Sequence, residues 1–358
     1  MGLQFVKPGS AIDFMGKRKL ALYVSAAVLL LGFVSLLYRG GLQYGIDFAG
    51  GINIQVKFYQ DVELKKVKEA LNQGGLAEMR VQRFGMHADN EYLLRISALD
   101  QKAEDLRRIV SQSLEQNMAS GFDIQRLEMV GPKVGSDLKN KALQALFYAV
   151  LLISIYISGR FEQKWITAGI LALGLLTGLY LLELLAVPLV YLILAALLIT
   201  IGMCWYLRLN YALGAVVALV HDVLITVGIF SLLGKEFDLT TVAALLTIIG
   251  YSLNDTIVVF DRIRENLRSR KDKAFRHIIN ASVNQTLSRT LLTSMTTLLV
   301  VLSLFFLGGG VIHDFALALL IGVVVGTYSS IYIASSLLLG IGPTPEAEQE
   351  TVAVSAEV

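Results

Sequence analysis

The sequence predicts a polytopic α-helical membrane protein of about eight transmembrane helices, carrying one small α+β domain of ferredoxin-like (βαββαβ) order outside the bilayer. Three observations predict it. The 358 residues are 55% hydrophobic and only 17% charged, with a mean hydropathy of +0.62, well above that of a soluble chain. Apolar runs near the roughly 20 residues needed for one crossing recur along the chain. Between the first and second runs, roughly a hundred polar residues, enough for a small domain, switch to short segments of strand and helix period.

The apolar runs are Leu20–Leu37, Ala142–Ile157, Trp165–Leu185, Pro188–Tyr206, Ala212–Leu233, Leu239–Phe260, Thr290–Leu307 and Phe315–Leu339. The first follows "GKRKL" and has no small-residue cleavage site after it, so it reads as an uncleaved anchor rather than a signal peptide. Lys17, Arg18 and Lys19 place the amino terminus in the cytoplasm by the positive-inside rule. Every second connection should then be cytoplasmic, and those connections carry Arg160 with Lys164, then Arg208, then the dense run "DRIRENLRSRKDKAFRH". The outward turns "GKEFD" and "GGGVIHD" are poor in Lys and Arg, which agrees with both termini inside. The chain divides into a cytoplasmic amino terminus (1–19), a first helix (20–37), the outer domain (38–138), a transmembrane bundle (139–340) and an acidic, disordered cytoplasmic tail (341–358). Within the bundle lie a hairpin at about 165–206 and a cytoplasmic loop at about 261–284.

In the outer domain, "INIQVKFY" alternates as a strand. "DVELKKVKEALNQGG" has helical period, an acidic start and a glycine stop. "AEMRVQRFG" and "NEYLLRIS" read as two further strands, "DQKAEDLRRIVSQSLEQN" as an amphipathic helix and "FDIQRLEMVG" as the last strand. The resulting order, βαββαβ, is the split ferredoxin-like motif. Its carboxylates fall on solvated helix faces, so the domain reads as a binding or moving module and the chain as no enzyme.

Cofactor chemistry has no foothold. Cys204 is the only cysteine, the histidines His87, His221, His277 and His313 lack ligand spacing, and no GxxxxGK[ST] loop occurs, so neither cofactor nor metal is expected. The basic residues belong to topology and the lipid headgroups, and no nucleic-acid partner is expected.

Ionisable residues inside a bilayer are costly and therefore functional candidates. At about 1.5 Å of rise per residue, Asp222 in "ALVHDVLITVG" lies roughly 18 Å from the inner entry at Asn210, near the midplane. Asp255 in "GYSLNDT" lies about 24 Å from its outer start and Arg289 in "TLSRT" about 27 Å from its outer end, so these opposite charges share a depth on consecutive antiparallel helices. Polar neighbours surround each: Tyr251, Ser252 and Asn254 near Asp255, Thr293, Thr296 and Thr297 beyond Arg289, and His221 and Thr226 near Asp222. One reading is a wet stripe in which a carboxylate takes and releases a proton as its charge partner changes. The blander readings are an Asp255–Arg289 pair that only fixes helix register, an Arg289 that snorkels to the headgroups, and an Asp222 that with His221 merely bonds a neighbouring helix. Gly322, Gly326 and Ser330 recur every four residues and read as a packing face.

"YGIDFAGG", "VGPKVGSDLKNKA", the block from His221 to Asn266 and "NQTLSRTLLTS" together resemble the SecF side of the SecD/SecF family, related to the proton-driven RND exporters. The resemblance covers nearly the whole chain. It implies a multi-pass protein of the bacterial inner membrane that works with SecD beside the SecYEG channel, with YajC and YidC as further partners. Such a protein uses the proton gradient to promote translocation and release of preproteins after the SecA ATPase has acted. By motif it implies proton-coupling roles for Asp255, Arg289 and Asp222, and a conformational role for Asp47 in the "GIDFxGG" segment.

One departure stands out. Family members run from "RFE" almost directly to "GAxxALxHD" and have six spans, whereas here about 165–206 intervene as an added hairpin, whose single acid is Glu183. An even number of added crossings preserves the topology on either side. The readings kept beside proton-driven export are an RND-type exporter of small molecules or lipids, and a translocon scaffold that uses no gradient. The residues leave open whether protons or sodium ions are carried.

Overall fold

The computed structural model describes residues 12–342 apart from 77–78, 85–89, 97–102, 119, 163–164, 184–188 and 270–273. Of the disordered tail expected at 341–358, residues 341–342 are described and Ile341 still ends a helix, while the rest, like the side chain of Glu183, lies outside the described residues. The first helix, α1 (Arg18–Tyr38), turns Leu20, Tyr23, Leu30 and Phe33 outward and buries Ala21, Ser25 and Gly32. A short helix, α2 (Ile46–Ala49), follows, and then Gly50 and Gly51 at φ +74° and +130°. A Cβ on Gly51 would stand 2.6 Å from the carbonyl oxygen of Ile96, so only glycine fits where the chain swings into the domain.

The domain runs β1 (Gly51–Phe58), α3 (Leu64–Gln73), β2 (Arg80–Phe84), β3 (Glu91–Ile96), α4 (Ala103–Asn117), β4 (Phe122–Val130). Its sheet has the order β2-β3-β1-β4 with every neighbour antiparallel. Alternation places Ile52, Ile54, Val56, Tyr92 and Leu94 on one face, where they form a core with Val67 and Leu71 of α3 and Leu106, Val110 and Leu114 of α4. The opposite face carries Asn53, Gln55, Gln82 and Glu128, and it borders a polar cleft of about 400 Å³ whose other wall is the loop around Glu236 and Asp238.

The bundle comprises α5 (Pro132–Glu162), α6 (Trp165–Glu183), α7 (Leu189–Tyr206), α8 (Asn210–Leu233), α9 (Leu239–Ser269), α10 (Phe275–Leu307) and α11 (Gly309–Ser329), which passes through a π-helical turn at Ser330–Ala334 into α12 (Ser335–Ile341). Proline at the first position of α5 suits a helix start, since its missing N–H would have no partner there. Among the described residues, six helices are long and apolar enough to cross a membrane: α1, α5, α8, α9, α10 and the stretch Ile312–Ile341. That is two fewer than the eight crossings expected. The expected hairpin forms as α6 and α7, but their described apolar stretches, Trp165–Gly174 and Leu194–Tyr206, are shorter. The loop expected at about 261–284 is also mostly helix, because α9 continues to Ser269 and α10 begins at Phe275. The charged segment sustains this with an Arg262–Glu265 pair one turn apart, 3.0 Å long.

Helix α8 is the axis of the bundle, buried over most of its circumference. Small residues let its neighbours close on it: a methyl on Gly32 of α1 would stand 2.8 Å from the Cα of Gly228. On α11, Cβ atoms at Gly322 and Gly326 would fall 2.2 Å from Ile248 and 2.9 Å from Ser252 of α9, so the small-residue face is a packing face against α9. The segment before α1 clamps the start of α10, with Asp13 accepting from Arg276 at 2.8 Å and Asn280 at 2.7 Å. Asn210 Nδ2, at the start of α8, donates to the carbonyl of Gly342 at 3.1 Å. Both described ends of the chain therefore lie on the side of the bundle opposite the domain.

Candidate functional site

Asp222 is fully buried on α8, and three hydroxyls reach it or its partner His221 from three further helices. Its Oδ2 accepts from Ser252 Oγ of α9 at 2.6 Å and from Ser329 Oγ of α11 at 2.8 Å. Its Oδ1 lies 2.9 Å from Nδ1 of His221, whose Nε2 lies 3.0 Å from Ser25 Oγ of α1. Ser25 donates in turn to Tyr328 OH at 3.1 Å, and Tyr328 donates to the carbonyl of Ala21 at 2.6 Å. Thr226 closes back on its own helix, donating to the carbonyl of Asp222 at 2.8 Å.

A carbonyl only accepts, so Tyr328 spends its hydroxyl hydrogen on Ala21. Nε2 of His221 faces Ser25 Oγ, with its donor or acceptor role set by the ring tautomer. Two bare lone pairs cannot face each other across 2.9 Å, so one proton is shared between Nδ1 of His221 and Oδ1 of Asp222.

Asp255 is buried too, three residues beyond Ser252 on α9. The sequence suggests a direct pair with Arg289, and the structure differs. Asp255 Oδ2 accepts instead from Ser294 Oγ at 3.5 Å, and Ser294 lies 2.6 Å from Thr327 Oγ1 of α11. Arg289 is exposed and forms no ion pair with Asp255, though it is close enough for its charge to act on that carboxylate. Helix geometry explains the difference. Arg289 and Ser294 are five residues apart, so their directions on α10 diverge by about 140°; with Ser294 turned to α9 and α11, Arg289 points out of the bundle. Asn254 is likewise exposed.

The hydroxyl stripe expected along α10 is spent on its own backbone. Thr293 donates to the carbonyls of Arg289 and Thr290, and Thr296 and Thr297 to carbonyls one turn back. Tyr251 is half-buried with its hydroxyl unpaired. Sequence reasoning missed Ser25, Ser294, Thr327, Tyr328 and Ser329. Each is one hydroxyl in an apolar helix, and only the facing of helices distant in sequence gives it a partner.

Asp47 sits at the rim on the domain side, where its Oδ2 accepts from the backbone N–H of Leu239, the first residue of α9. Gly45 N–H donates to Phe237 O at 2.9 Å and Phe237 N–H to Gln43 O at 2.7 Å, so the segment leading into the domain is pinned to the α8–α9 turn. The domain adds a second hold: Arg95 Nη1 of β3 lies 2.6 Å from Glu236 Oε1, with Gln82 Nε2 donating to the same oxygen at 3.1 Å. Burial holds Glu236 above its ordinary carboxylate value despite Arg95, and holds Arg95 below its own despite Glu236. Desolvation thus outweighs attraction on both sides of this bridge. The turn so gripped joins α8, which carries Asp222, to α9, which carries Asp255.

A family model described as "Protein export membrane protein SecD/SecF, C-terminal" matches residues 110–203 and 180–343, and the "SecD/SecF GG Motif" matches 37–62. The chain is 40% identical over 340 residues to the protein translocase subunit SecF of Calditerrivibrio nitroreducens, covering 94% of this chain and 96% of that one. It is 43% identical over 345 residues to that of Magnetococcus marinus, covering 95% of each. Among solved structures, it resembles SecDF of Thermus thermophilus, described as a translocon-associated membrane protein, with a TM-score of 0.67 and 32% identity over 93% of this chain. The chain spans 39% of the length of that SecDF protein.

Proposed function

The chain belongs to the SecD/SecF family of protein-export membrane proteins as a SecF-type subunit, and from that premise we propose that it couples proton flow across the bacterial inner membrane to preprotein translocation and release by the Sec machinery. The observation that carries this reading is the buried contact between Nδ1 of His221 and Oδ1 of Asp222, across which one proton is shared. A buried carboxylate–imidazole pair holding one exchangeable proton is tied by hydrogen bonds to α1, α9 and α11. Moving that proton changes which hydroxyls the carboxylate can hold, and so biases how those helices pack. Asp255, one turn along α9, is the second acid of the route. Arg289, facing outward, is a charge offered to the partner's helices, and SecD is the partner we infer.

In this reading the domain lies on the periplasmic side and both termini are cytoplasmic. SecD and the SecYEG channel are neighbours, YajC and YidC are further members of the assembly, and preproteins delivered by SecA are the cargo. We read the sheet as a ferredoxin-like fold and α6–α7 as an added membrane hairpin, which gives eight crossings. Asp47 and the Arg95–Glu236 bridge transmit movement of the α8–α9 turn to the domain.

The test is preprotein release in vesicles containing this chain with SecD, SecYEG and SecA, comparing wild type with Asp222→Asn and Asp255→Asn after confirming normal assembly. The expected result is slow release that no longer responds to the proton gradient. Unchanged release and gradient dependence in both variants would sink the energised reading and leave a translocon scaffold.

A further inference from the structure

Away from the acids, α5, α7, α8 and α9 line an apolar slot of about 250 Å³. Leu146 and Val150 of α5, Leu197 of α7, Val223 of α8, and Leu245 and Ile249 of α9 are among its walls. One wall is thus supplied by the hairpin that the six-span pattern lacks. Among the described residues, the cation on its lining is Lys139, at the domain-side mouth, with Nζ 4.1 Å from the centre of the Tyr44 ring. No carboxylate among the described residues pairs with Lys139.

The dimensions are those of one leaflet. From Lys139 to Val150 the slot descends about 16 Å along α5, roughly half of the ~30 Å hydrocarbon core. A carbon-lined slot one leaflet deep, opening at an ammonium with no acid partner, matches an acyl chain below a phosphate. We propose that this slot binds one acyl chain of a membrane phospholipid from the domain-side leaflet, with the headgroup phosphate on Lys139. The added hairpin then serves as the wall that closes the slot, and the bound chain fills the gap between the hairpin and α5, α8 and α9.

The experiment is native mass spectrometry of the full chain, stripped in detergent and re-equilibrated with mixed micelles containing either phosphatidylglycerol or diacylglycerol of the same chains, which lacks the phosphate. Wild type is compared with Lys139→Ala, which removes the headgroup contact, and Leu146→Trp, which fills the slot. Unchanged thermal midpoints serve as the folding control. Lys139→Ala should weaken phosphatidylglycerol retention about fivefold, the worth of one interfacial cation, and leave diacylglycerol retention unchanged. Leu146→Trp should lower retention of both. Equal retention by all three proteins overturns the proposal, and so does loss in Lys139→Ala alone, which would place the lipid on the surface. Displacement of the lipid when SecD is added, with cross-links from SecD to Leu194, would make the slot a protein interface and overturn it too.

Discussion

Ser252 Oγ lies 2.6 Å from Asp222 Oδ2, so a hydrogen bond to a buried acid joins α8 to α9 inside the bundle. Ser252→Ala leaves that oxygen with Ser329 alone. The expected loss is about 1–2 kcal/mol, between the worth of bonds to charged groups in water-soluble proteins and that of bonds between membrane helices. It should be read as a fall in the thermal midpoint in detergent; an unchanged midpoint would mean that the bond adds nothing.

Asp222→Asn should behave differently. An asparagine amide donates to Nδ1 of a neutral His221, and its oxygen still accepts from Ser252 and Ser329, so every bond of the network survives. The thermal midpoint should therefore fall less than in Ser252→Ala, while the shared proton is gone. A calorimetric melt and a gradient-dependence assay on the same preparation separate the two effects, and a collapsed midpoint would refute the shared-proton contact.

Docking of the domain on the α8–α9 turn should depend on pH through Glu236. Burial raises its proton affinity in the docked state, and Asp238 and Asp314 push it the same way, against Arg95 and Gln82. The docked state then binds more protons than the undocked one. The favourable contribution is full below the ordinary carboxylate value near 4.5 and is lost as pH rises through the raised value. Hydrogen exchange in β2 and β3 should accordingly speed up, beyond its intrinsic pH dependence, across that interval. Glu236→Gln, which stays neutral and keeps a hydrogen-bonding oxygen, should abolish the excess; exchange that tracks intrinsic chemistry in both proteins would count against the coupling.

The α1–α8 crossing should tolerate no added methyl. Gly228→Ala would set a Cβ 3.0 Å from the Cα of Gly32, where backbone and not a movable side chain stands in the way. Overpacking of this kind costs about 1–3 kcal/mol. Because α1 also carries Ser25, the shift should release the His221–Ser25 contact, visible as a changed His221 imidazole signal in NMR as well as a lower melting midpoint.

Much of the architecture was legible in the residues themselves. Hydrocarbon offers no partner for backbone polar groups, so runs such as those of α1, α8 and α9 had to be helical. The two-residue period of "INIQVKF" marked β1 as a strand with one buried face. The candidate acids were legible for the same reason, since charge in an apolar run is conspicuous. The sequence by itself therefore determined the six runs whose helices are long and apolar enough to cross, the order of strands and helices in the domain, and where the unusual carboxylates stand, whereas the described apolar stretches of α6 and α7 are shorter than the two further crossings expected. Only the tertiary structure decided what those carboxylates meet. Shared depth suggested Arg289 for Asp255, but depth sets position along a helix and says nothing of direction around it. With Ser294 turned inward, Arg289 points out, and the buried partners are lone hydroxyls from helices distant in sequence. Their pairing depends on how close glycine lets each helix approach, and Gly32 with Gly228, and Gly326 with Ser252, set that distance.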